Sequence, residues 1–130
     1  MGTYGVEWFE NDAVADWMGK MEAEGHADHV RRLLERVARE PDYIDASDGQ
    51  TAIAAAEVVA AVRGYPDDPQ FTRKLARRMP TLTEDAALAL AALSAVVDPN
   101  RSELYELIED GPSFNEWIGL VEELRRRLGG

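Results

Sequence analysis

Four carboxylates near the N-terminus, Glu7, Glu10, Asp12 and Asp16, form one group of side chains that could hold a cation or move a proton. Asp12 and Asp16 are four residues apart, so on a helix they share a face and repel by about 0.2–0.5 kcal/mol. A bound cation would relieve that repulsion. So would Lys20, one turn beyond Asp16, and the positive N-terminal end of a helix favours acids in any case. Calcium and magnesium ask for more oxygen ligands than this local set supplies, and no Asp-x-Asp-x-Asp-Gly loop is present. A solvated helix start is the simpler account. If a cleft gathers functional groups, Glu10, Asn11, Asp12 and Asp16, with Glu57 from further along the chain, are the binding residues to expect.

Other reactive side chains are sparse. His26 and His29 are three residues apart, but zinc needs a third ligand such as Glu22, and the His-Glu-x-x-His arrangement is absent. Arg73, Lys74, Arg77 and Arg78 put a basic face on a short segment, which suits an anionic ligand or acidic partner but is more often a solvated surface. No phosphate-binding glycine loop and no Gly-x-Ser-x-Gly nucleophile pattern occurs. Neither a metal nor a cofactor is expected, and the balance leans away from an enzyme.

Residues 51–62 are the stretch around which the elements must be arranged. Ala fills six of these twelve positions and Glu57 is their one charge. A helix apolar nearly all round belongs at the centre of a helical domain. A lone buried carboxylate would need an Arg, a metal or a proton. The milder reading is a narrow solvent-facing stripe, because Gln50 and Glu57 lie about 20° apart on a helical wheel with Ala54 and Ala61 beside them. Ser47 and Gln50 suggest a capping box at the start, and Gly64 followed by Pro66 a stop.

The remaining elements follow from apolar spacing and helix punctuation. Residues 1–9 read as an irregular arm anchored by Trp8 and Phe9. Asn11 or Asp12 opens a helix to about 24, with Val14, Trp17, Met18 and Met21 on one face. A second helix covers 26–39, with Ala27, Val30, Leu33, Leu34 and Val37 inward and Asp28–Arg32 and Glu35–Arg39 pairs outward. A short helix over 69–79 precedes an apolar one over 83–97, capped by Thr81 or Thr83. Another begins at Asn100 and runs to about 109, with Leu104, Leu107 and Ile108 inward. The last begins at Ser113, with Trp117, Leu120, Val121, Leu124 and Leu128 inward and Arg125–Arg127 where a cation favours the C-terminal end of the helix. These elements describe an all-α, compact single-domain bundle of about six to seven helices across 1–130, centred on 48–63 and 83–97.

The chain has 130 residues, no Cys and a formal net charge of −11. Disulfides and thiolate chemistry are excluded, and a cytoplasmic location fits. Strong acidity disfavours nucleic acid and anionic membrane as partners but suits a basic protein. No secretion or myristoylation signal is expected, and the apolar run at 86–97 is too short to span a bilayer.

Met1-Gly2-Thr3-Tyr4-Gly5, Phe9-Glu10-Asn11-Asp12-Ala13 with Asp16-Trp17, Ala54-Ala55-Ala56-Glu57-Val58-Val59-Ala60-Ala61, and the C-terminal helix with Trp117 together resemble a bacterial family known as domain of unknown function 4259. The chain departs from it at Tyr4 and Glu7, where the family has Trp and Gly. The resemblance implies a small all-helical protein and no activity. Two function classes therefore stand. One is a protein-binding or regulatory module that neutralises a basic partner. The other is a small ligand binder or enzyme using Asp12, Asp16 and Glu57. A monomer, or a homodimer joined through the Trp8/Phe9 arm, fits either.

Overall fold

The computed structural model describes residues 14, 16, 17, 19, 20, 27–64, 82 and 84–129. Among them are five helices and no strand: α1 (Ala27–Ala38), α2 (Ala46–Val62), α3 (Ala86–Val96), α4 (Glu103–Glu109) and α5 (Phe114–Arg127). The chain is all-α as expected. The count falls short of six to seven among the described residues. Residues 14, 16, 17, 19 and 20 are helical, but the rest of the expected first helix, the short helix at 69–79 and the arm at 1–9 lie outside the described residues.

The Ala-rich α2 is the hub, and α1, α3, α4 and α5 all pack on it. Every residue from Gly49 to Ala60 is buried. Ala side chains allow this because they cost little in helix propensity and let neighbouring helix axes come close. Gly49 takes the logic further. A Cβ there would lie 3.2 Å from the Cβ and Cδ2 of Leu104, so the missing side chain lets α4 sit against the first turn of α2. At the far end Gly64 has φ +99, and its N–H donates to the Ala61 carbonyl at 3.0 Å. That left-handed stop was legible in the sequence.

The solvent-facing stripe on α2 is corrected. Gln50 and Glu57 are both buried, Glu57 at 3% exposure. Four helices around one hub leave that side of α2 no opening to water. The cap is corrected too. Asp45, extended at φ −70 and ψ 162, accepts the Asp48 N–H on Oδ1 at 2.8 Å, so the helix starts ahead of Ser47. The Ala46 N–H donates to Glu103 Oε1 at 2.7 Å, a partner 57 residues away. Ile44 and Ser102 form an isolated parallel bridge, with the Ile44 N–H on the Arg101 carbonyl and the Glu103 N–H on the Ile44 carbonyl. The first turns of α2 and α4 thus satisfy each other's unpaired amides.

Other boundaries shifted for similar reasons. Ser102 rather than Asn100 caps α4, its Oγ accepting the Tyr105 N–H at 3.2 Å, while the Asn100 N–H is held by Asp98 Oδ1. Ser113 flanks α5 but makes no side-chain cap bond. Asp85 flanks α3 with its carboxylate turned to Arg31 of α1, whose Nε and Nη2 lie 3.0–3.2 Å from it. On α1, Asp28 pairs with Arg31 rather than Arg32, and Arg36 reaches Asp48 of α2. Of its expected inward face, Val30, Leu33, Leu34 and Val37 are buried and Ala27, at the first position, is only partly buried.

Candidate functional site

Two places hold side chains with chemical potential beyond packing. The first surrounds Glu57. Its Oε1 accepts from Arg127 Nη1 at 2.8 Å and its Oε2 from Nη2 at 3.0 Å. The third guanidinium nitrogen, Nε, bonds Glu123 one turn earlier on α5. The Glu57 side chain is 4% exposed and that of Arg127 16%. Burial opposes the charged guanidinium, but the hydrogen bonds to Glu57 and Glu123 outweigh it and hold the Arg127 pKa above its ordinary value. A bidentate Arg is the geometry that best compensates a desolvated carboxylate. α2 positions Glu57 within its helical, buried stretch, and α5 positions Arg127 by docking Val121, Leu124 and Leu128 on the core. Both oxygens of Glu57 are thereby engaged by a cation of the chain itself.

The second place is the outer face of α4. Leu107 is 51% exposed, and Tyr43, from the segment ahead of α2, is 44% exposed. The neighbouring Glu106 carboxylate, then desolvation and the charge of Glu103, pushes the Tyr43 phenol up to about 12. Glu106, Glu109, Asp110 and Asp42 are exposed and make no ion pair among the described residues. On its inner side α4 buries Leu104 and Ile108 and sets Tyr105 edge-on to Phe114 and Trp117, at ring-centroid distances of 5.3 and 6.2 Å. The helix is held from within, while Glu106, Leu107 and Glu109 on its other side are exposed.

Of the expected binding residues, only Asp16 and Glu57 are among the described residues. Asp16 is exposed and Glu57 is buried against Arg127, while Glu10, Asn11 and Asp12 lie outside the described residues. So do His26 and the basic run Arg73, Lys74, Arg77 and Arg78. Tyr43, Glu106 and Leu107 escaped sequence reasoning as a group. Leu107 had been assigned inward with Leu104 and Ile108, and Tyr43 lies 63 positions before Glu106. The Ile44–Ser102 bridge, with the bonds from Ala46 to Glu103 and from Arg101 to Glu40, brings their segments together.

A family model described as a domain of unknown function (DUF4259) matches residues 2–119. The chain belongs to this family. The DUF4259 match takes in α1 to α4 and the first part of α5, so Glu57 lies inside it and Arg127 beyond it. No curated protein and no solved structure matches the chain. Among the described residues no helix is long and apolar enough to cross a membrane.

Proposed function

We propose that this DUF4259 protein is a cytoplasmic protein-binding module that docks a basic partner on the outer face of α4. The observation that carries this reading is the pairing of two exposed apolar side chains, Tyr43 and Leu107, with acids that have no counter-charge among the described residues. Apolar contact area ringed by one sign of charge is the arrangement that recognises an amphipathic segment of the opposite sign. The net charge of −11 works in the same direction by steering cations toward the molecule. The absence of Cys suits a reducing compartment. The competing idea of a carboxylate-cluster enzyme gains nothing from Glu57, whose oxygens are taken by Arg127.

A short amphipathic peptide of Leu and Lys is a sufficient probe. Titrated into the labelled protein, it should shift the backbone amide resonances of Tyr43, Glu106, Leu107 and Asp110. Glu106→Lys combined with Leu107→Ser should weaken it at least about tenfold, roughly 1.4 kcal/mol. Glu84→Lys, an equal charge change at the exposed start of α3, should weaken it far less. Equal losses from both variants would reduce the interaction to general charge attraction and end the proposal.

A further inference from the structure

We propose that Glu57, Arg127 and Glu123 form a register key: the buried pair locks α5 at one position along α2, and Glu123 excludes the position one turn away. The need for a key comes from the two surfaces that meet. Between Asp48 and Arg63, α2 carries a single charge, Glu57, among mostly Ala and Val side chains. Small, uniform side chains make shallow ridges and grooves, which define a helix–helix position weakly.

α5 adds its own ambiguity. Leu120, Leu124 and Leu128 recur every four residues; Leu124 and Leu128 are buried and Leu120 is exposed. A slide of four residues moves the helix about 6 Å at 1.5 Å per residue. It would carry Leu124 into the place of Leu128 and Leu120 into the place of Leu124, Leu for Leu. Apolar burial at that end would hardly change. The same slide puts Glu123 where Arg127 now stands, carboxylate facing buried carboxylate. Sliding the other way draws Arg127 away from Glu57. Rotating α5 to offer Arg126 instead would turn Val121 and Leu124 toward water. The observed register gives Glu57 its bidentate Arg127 and buries Leu124 and Leu128 together. A buried polar contact that defines register among interchangeable apolar ones is a known use of such groups.

The cysteine-free chain allows a direct test by spin-label distances. Labels go on α5 at Glu122 and, in turn, at Ala87 of α3 and at Asp42, all exposed, so that a slide in either direction changes at least one distance. The native protein should give one narrow distance for each pair. Glu57→Leu with Arg127→Met replaces the key by apolar groups of similar length and should add a second population, displaced on the scale of one turn. Glu123→Arg supplies the second register with its own cation while leaving Glu57 and Arg127 in place. It should also split the distances, and because Glu123 is partly exposed this variant keeps the fold. A single native distance in the folded double variant overturns the proposal and assigns the register to the Trp117 end of α5. Should the double variant fail to fold, Glu123→Arg decides alone, and a single native distance there overturns the proposal equally.

Discussion

Glu57 in α2 and Glu106 in α4 are the same side chain put to opposite uses. Glu57 sits in the middle of a helix enclosed by four others and gives both oxygens to Arg127. Glu106 is exposed on a helix whose inner side buries Leu104 and Ile108, and among the described residues it makes no ion pair. The difference teaches where this molecule can interact. Charge in the interior must be neutralised before the chain is stable, so it is spent on the fold. Charge on the outer face of α4 is stabilised by water and stays available to a partner that brings cations. Glu103 falls between them. It lies on the same short helix as Glu106, yet one of its oxygens closes the N-terminus of α2.

Three substitutions grade this contrast. Arg127→Met should cause the largest loss, about 3–5 kcal/mol in urea denaturation, because it leaves Glu57 buried without its bidentate partner. A loss below about 1 kcal/mol would mean that the interior carboxylate is not committed as described. Glu103→Ala should cost about 1–2 kcal/mol by the same measurement, the usual range for losing a charged acceptor at a helix N-terminus.

Glu106→Gln should change stability at neutral pH by no more than about 0.5 kcal/mol. Its signature lies at alkaline pH. The fold holds the Tyr43 phenol protonated up to about 12, above its ordinary 10.0. A raised folded-state value means that the folded chain keeps a proton the unfolded chain has lost. That contribution to stability is complete below pH 10 and disappears as pH rises toward 12. With Glu106 neutral, the Tyr43 absorbance titration should move down toward 10 and the slope should flatten. An unchanged titration would show that another group raises it.

Much of the architecture was legible in the chain. The inward face of α1, the hub character of α2 and the stop at Gly64 all follow from apolar period and from glycine. Caps were less legible, because candidates compete within a few residues and distant groups choose among them. Ser47 lost to Asp45 once Glu103 took the Ala46 amide, and Asp85 does not cap α3 because Arg31 holds its carboxylate. Of the candidate site, Glu57 stood out as the odd residue of its stretch and an Arg as one possible answer. Its burial and the identity of that Arg did not follow, since Arg127 is 70 positions away and was placed only as a cation near a helix end.

The sequence by itself determined the helical class, the central helix and the acidic character of this DUF4259 protein. These depend on local spacing and on sums over composition, which need no knowledge of the fold. Tertiary structure alone decided which charges are consumed and which are left outside. Burying a carboxylate depends on how many helices surround it and which cation can reach it, and both are set by contacts between residues far apart in the chain.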